Sequence, residues 1–292
     1  MSDRVDVHVH VFDRLSEQYP RGVSTLAPAE RTATAEQLLR EMDAAGISRA
    51  VLIDMGGTQL DQHRYVTDCV RHWPDRFVAT GLVDVNDADP AARLRELVDA
   101  TGVKGIRLGF LGQPGATHVD ELPARSLFQV AAERGLNINV YASSSQVGNL
   151  ALLAAAFPQV LISLDHLGIC PTTAMGVDTW GRPRFDDEPL PPSTYPQILG
   201  LARFANVCVK ISGEYAFSKV PYPYGDMRSM VAQVYAAYGP SRMMWCSDFP
   251  WIVVEPGYGR LANLLGSHLP DLSAAECDAI MGGNAMKAWF GA

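Results

Sequence analysis

Val5-Asp6-Val7-His8-Val9-His10-Val11 decides the fold. Valine at every second position predicts a strand, and successive side chains of a strand point to opposite faces. A regular strand would therefore carry Asp6, His8 and His10 on one face and the four valines on the other. Two imidazoles aligned with a carboxylate mark a chemical site.

Working outward, seven further segments read as strands: 50–53, 77–83, 103–108, 136–141, 160–164, 207–211 and 242–246. Helical segments separate them. Thr34-Ala35-Glu36-Gln37 has capping-box spacing and Gly46 closes the helix it opens. A helical stretch precedes Pro74, and others run over 91–100, 125–134, 146–157, 195–204 and 227–238, before a helical C-terminal extension. Eight strand–helix units in this length predict an α/β protein, a closed (β/α)8 TIM barrel forming a single domain over 1–292. An open doubly wound sheet would carry a glycine-rich phosphate turn after its first strand, and none is present. Two Pro/Gly-rich stretches, 170–192 and 220–225, follow strand ends, where barrel enzymes place active-site loops.

Composition limits what this barrel serves. A formal charge of −8, without clustered Lys and Arg, argues against nucleic acid as a partner. With no apolar run of membrane-spanning length and no secretory leader, a cytoplasmic protein without membrane association is expected. Five scattered cysteines, Cys69, Cys170, Cys208, Cys246 and Cys277, read as reduced thiols rather than a disulfide framework or zinc knuckle. A small-molecule substrate is the expected partner, and a homo-oligomer stays open, with the apolar stretch 285–290 free to dock on the barrel or on a second copy.

Catalytic groups of a barrel sit where strands end. The first strand ends in His8 and His10. The fourth offers Lys104 and Arg107, of which Arg107 shares parity with Gly105 and faces the interior. The sixth ends in Leu164-Asp165-His166-Leu167-Gly168, the seventh in Lys210-Ile211-Ser212-Gly213-Glu214 and the eighth in Trp245-Cys246-Ser247-Asp248-Phe249-Pro250. Taken singly, each has a structural reading: His166 as a satisfied core histidine, Asp248 as a helix cap, Cys246 as packing. For Lys210, pairing with Glu214 or simple snorkelling is expected. His63, His72, His118 and His268 read as surface residues. Arg182 and Arg184 read either as cations closing over an anion or as solvated charge. The convergence of His8, His10, His166 and Asp248 on one barrel mouth favours catalysis. It requires Asp248 and His10 to lie within about two side-chain lengths, roughly 12 Å.

The combination of Asp6-Val7-His8-Val9-His10-Val11-Phe12-Asp13, Gly105-Ile106-Arg107, Asp165-His166-Leu167-Gly168, Lys210-Ile211-Ser212-Gly213 and Ser247-Asp248-Phe249-Pro250 resembles the amidohydrolase superfamily. Within it, the likeness is to the branch holding sugar and pyrone-dicarboxylate lactonases and aminocarboxymuconate-type decarboxylases. Metal-dependent members place a histidine at the end of strand 5, where this chain has Tyr141. The resemblance therefore implies metal-independent hydrolysis of a lactone or related cyclic ester. Asp248 would be general base, His166 and Arg107 would polarise the carbonyl or hold a carboxylate, His8 and His10 would bind substrate or water, and Tyr141 would donate to the ring oxygen. Dicarboxylate lactonases carry an arginine soon after the glycine of the seventh strand. Here Glu214-Tyr215 stands instead, to read hydroxyls or, for Glu214, to act as a second acid/base, which makes a dicarboxylate less attractive. Two alternatives stay open: a decarboxylase of an unsaturated or aromatic acid holding a divalent ion such as zinc on His8, His10 and Asp248, and a catalytically lapsed barrel acting as a binding subunit.

Overall fold

Eight of the strands join into one sheet whose order follows the chain. They are β1 (Val5–Val9), β2 (Arg49–Ile53), β3 (Phe77–Leu82), β4 (Gly105–Leu108), β5 (Asn137–Val140), β6 (Ile162–Leu164), β9 (Val207–Ile211) and β10 (Met243–Trp245). These come from a computed structural model, which describes residues 3–291. Every pairing in the sheet is parallel. Past β10 the chain continues alongside β1, with His10 N–H donating to Phe249 O at 2.7 Å and Asp248 N–H to His8 O at 3.0 Å. The sheet thereby closes into the expected (β/α)8 barrel, and the closing hydrogen bonds belong to the site residues themselves.

Local signals act where the sequence places them. Thr34 accepts from Gln37 N–H while Gln37 Oε1 accepts from Thr34 N–H, starting the helix Ala35–Ala45, and Gly46 ends it in the left-handed region at φ 68°. The loop after β6 holds an unanticipated hairpin, β7 (Gly176–Val177) against β8 (Pro183–Arg184). Its four paired residues are too few to leave a periodic signal.

The first strand departs from regular alternation. Asp6 pairs with Ala50 but Val9 with Leu52, so three steps on β1 face two on β2, a β-bulge with one extra residue. Its effect is to move Asp6 away from the face expected for it. Asp6 instead accepts from Ser247 N–H (2.9 Å), Tyr258 Oη–H (2.7 Å) and His8 N–H (3.2 Å), bracing the barrel seam. Val5 and Val7 then pack with Val51, Ile53, Cys208, Met244 and Cys246, while Val9 and Val11 join the larger core.

The C-terminal run Ala274–Asp278, Ala279–Gly283 and Met286–Phe290 docks on its own barrel. Ala285 and Trp289 pack into the Val5/Val7 cluster. The Trp289 ring reaches Gly105 so closely that a Cβ there would lie 3.2 Å from it. Asn137 Nδ2 donates to Ala288 O at 2.7 Å, fixing the plug. Among the described residues no helix is long and apolar enough to cross a membrane.

Candidate active site

The strand ends bring Asp248 Oδ1 to 3.4 Å from His10 Nε2 and 3.7 Å from His8 Nε2, and Asp248 Oδ2 to 3.9 Å from His166 Nδ1. These separations fall far inside the two-side-chain limit. Two of the residues hold strained backbone: His166 has φ 51° and Asp248 φ 63°, a region β-carbon-bearing residues avoid. Such strain persists only where surrounding contacts enforce it. One of them is Gly213, whose Cβ would come 2.8 Å from that of His166, so the glycine admits the imidazole.

Proton positions follow from partners that have only one role. The Ile53 carbonyl can only accept, so His10 carries a proton on Nδ1 (2.8 Å). Beneath it, fully buried His8 meets His10 Nε2 to Nε2 at 3.1 Å. His8 Nδ1 lies between the Lys210 ammonium at 3.2 Å and Asp165 Oδ1 at 3.3 Å, a donor and an acceptor. Two tautomers are thus built in. With Lys210 donating to Nδ1, His8 points an Nε2–H at His10. With Nδ1–H donating to Asp165, His8 Nε2 is bare.

Asp165 and Lys210 correct the expectations most. Lys210 pairs with Asp165 at 3.0 Å rather than with Glu214, and its side chain is wholly buried rather than snorkelling. Arg107 Nε donates to the other Asp165 oxygen at 2.9 Å, while Lys104 is exposed. Burial alone would push the Asp165 acid upward, but Lys210, His8 and Arg107 overcome it and hold the group well below the usual carboxylate range. Asp165 is therefore the ionised centre of the floor. Its position, two residues beyond the inward Ser163 on β6, was the available signal.

Burial likewise opposes ionisation of Asp248, yet His166, His10 and His8 outweigh it and lower its pKa. Burial, aided by Lys210, keeps His8 neutral, its pKa falling well below the usual value against the pull of Asp165. For His166 burial again dominates and lowers the pKa. A neutral His166 accepting at Nδ1 from Ser212 Oγ–H (2.9 Å) carries its proton on Nε2. Tyr215 Oη–H donates to Asp248 Oδ2 at 2.6 Å, leaving Oδ1 buried and without a hydrogen-bond partner.

Above this floor lies a cavity of about 120 Å³. His10, Arg107, Tyr141, His166, Tyr215 and Asp248 line it, with an apolar wall. His8 lies below the lining. Glu214 is also outside it, a buried acid pushed up to about 7 by desolvation and then by the Asp248 charge. Tyr141 sets its ring edge on His166 (centroids 5.2 Å) and receives the Arg107 guanidinium over its face at 5.2 Å.

Four readings of other residues are corrected. His63 is buried, donating from Nδ1 to Gln59 O and accepting Leu82 N–H at Nε2, and His268 is buried as well; His72 and His118 are exposed as expected. Arg182 is neither lid cation nor solvated: it binds Asp178 and Glu255, each at 2.7 Å. Arg184 binds the Tyr215 carbonyl, Ser218 O and Asp186. Both fasten the hairpin to the barrel. Cys246 sits in the apolar cluster, its thiol pushed well up by burial, which fits packing.

Against known proteins, the family described as amidohydrolase matches residues 5–291. L-fucono-1,5-lactonase of Burkholderia ambifaria is 23 % identical over all of this chain and 93 % of its own length. Among solved structures, a zinc-bound amidohydrolase from Burkholderia multivorans superposes with a TM-score of 0.75 at 20 % identity, covering 98 % of this chain and 99 % of its own. A 2-pyrone-4,6-dicarboxylic acid hydrolase, so named putatively, from Pseudomonas putida gives 0.71 at 24 %, covering 99 % and 97 %. With the family match running through every strand end that builds the site, the chain is an enzyme of the amidohydrolase family.

Proposed function

We propose that this enzyme opens a small lactone by adding water, with Asp248 as general base. One observation carries the reading: an ionised carboxylate at the cavity wall whose Oδ1 has no protein partner while Oδ2 is held by Tyr215. A water accepted at that oxygen gives its proton to Asp248 as it bonds to the lactone carbonyl carbon. The Nε2–H of neutral His166 stabilises the charge developing on the carbonyl oxygen. As the ring C–O bond breaks, the leaving oxygen is protonated from Tyr141, whose phenol burial keeps protonated. Asp248 returns its proton to Tyr141 through solvent, and the product is the hydroxy acid. Arg107 holds a substrate carboxylate through the terminal nitrogens left free by its Nε contact.

The residues also fit a divalent cation, since His8 Nε2, His10 Nε2 and the orphaned Asp248 Oδ1 lie within 3.7 Å of one another. His8, His166 and Asp248 form a second such group within 4.8 Å. Such an ion would supply Lewis-acid polarisation of the carbonyl and a more acidic water. Two features favour side chains acting alone: Tyr141 ends the strand that would offer another ligand, and with Lys210 donating to Nδ1 the His8 Nε2 carries a proton and offers no lone pair.

Asp248→Asn should lower kcat/KM for a lactone by at least about a thousandfold, within the range expected for losing a general base, with its melting temperature nearly unchanged. Dialysis against a chelator should leave the wild-type rate intact. A rate restored only by added zinc would transfer carbonyl polarisation to the ion and revive the decarboxylase alternative.

A further inference from the structure

The walls of the cavity differ in character from its floor, and the difference bears on which lactone enters. Phe185 and Phe217 stack face to face, centroids 4.7 Å apart and 9° from parallel. Trp251, Met55 and Leu26 continue the same apolar surface. The polar groups facing it are already committed. Tyr215 donates to Asp248, His166 is tied to Ser212, and His10 is tied to Ile53 and His8. Unengaged donors are the terminal nitrogens of Arg107 and the Tyr141 hydroxyl, which make no hydrogen bond among the described residues, and His166 Nε2, which the ester carbonyl takes in the proposed reaction.

Charge is equally limited. Arg107 is the one permanently charged cation of the lining. The two other arginines near the mouth are consumed: Arg182 by Asp178 and Glu255, Arg184 by the backbone at Tyr215 and Ser218 and by Asp186. A second substrate carboxylate would have no partner here. Nor would a set of ring hydroxyls, each of which would lose its water against aromatic and thioether surface. At about 120 Å³ the space is slightly under the ~150 Å³ that takes one benzene ring in a dry cavity.

Resting on the lactonase reading, we propose that the substrate is a single small lactone ring bearing short alkyl substituents and one carboxylate, not a sugar lactone and not a dicarboxylate. Arg107 takes the carboxylate, the Phe185–Phe217 wall takes the apolar edge, and the ester faces Asp248 and His166. Specificity on this view comes from what the wall refuses to hydrogen-bond.

Ring-matched lactams, which keep the shape but resist hydrolysis, test the preference by calorimetric titration of the intact enzyme. A lactam monocarboxylate with a short alkyl substituent should bind at least about a hundredfold tighter than a polyhydroxylated lactam, the discrimination an apolar pocket shows against one added hydroxyl. It should also outbind the corresponding dicarboxylate. Phe217→Ser should weaken the apolar ligand about tenfold and leave the polyol unchanged or tighter. A polyol or dicarboxylate binding as well as the apolar monocarboxylate, or no binding by any of the three, overturns the proposal. Hydrolysis is scored separately with the matching lactones. Intact binding preference with no lactone turned over would sink the lactonase reading while supporting this one.

Discussion

The two ends of the barrel are built from the same strands and do opposite work. At the N-terminal end Val5, Val7, Val51, Ile53, Cys208 and Met244 close over the Trp289 plug in a dry cluster. At the C-terminal end the strand ends deliver His8, His10, Asp165, Lys210 and Asp248, all buried and all ionised or hydrogen-bonded. The changeover on β1 takes one inserted residue. Without the bulge between Asp6 and Val9, regular alternation from the inward Val5 and Val7 would point His8 and His10 outward. One end supplies stability and the other uses part of it to hold charges and strained backbone where chemistry needs them.

That contrast breaks most severely at the polar end. Asp165→Ala removes the shared partner of Lys210, His8 and Arg107 and leaves an ammonium buried without a counter-charge, costing about 3–5 kcal/mol. Urea unfolding should show that loss together with the disappearance of turnover. At the apolar end Trp289→Ala should cost about 3 kcal/mol through the cavity it opens. The kcat of the protein that remains folded should stay within twofold of wild type. Equal damage to kcat from both substitutions would dissolve the division between the ends.

A smaller effect sharpens the seam between them. Burial pushes the Asp6 acid from 3.8 up to about 6, although Ser247, Tyr258 and the His8 amide pull it back. The folded chain therefore holds this proton more tightly than the unfolded chain. Its contribution to stability is full below about pH 4 and disappears as pH rises through about 6. Asp54, raised to about 6, and Glu214, raised to about 7, act in the same direction and are common to both proteins compared. Between pH 4 and 6 the Asp6→Asn variant should lose less stability than wild type, by about 1 kcal/mol for each pH unit. Parallel stability curves would remove Asp6 from that role.

The alternation of strands and helices was legible because it is local. Valine-rich runs, the Thr34/Gln37 box and the Gly46 stop each act within a few residues. What escaped depends on contacts between distant segments. The bulge at Asp6–Val9 exists because β1 must satisfy both β2 and the chain after β10. Lys210 finds Asp165 forty-five positions back rather than Glu214 four ahead, since β6 and β9 pair side by side with Leu164 opposite Val209, which sets Asp165 beside Lys210. The burial of His63 follows from the Leu82 amide that it accepts. Arg182 and Arg184 read as mobile cations until the short hairpin and Glu255 give them partners. The strand-end residues His8, His10, His166 and Asp248 were recognisable by position, but which of them faces the cavity depended on closure.

The polar end is assigned the addition of water across an ester, and turnover in heavy-oxygen water reads that step directly. Mass spectrometry of the product should show one heavy oxygen in the newly formed carboxylate, with every substrate carbon retained. Release of carbon dioxide with no label in the organic product would contradict it.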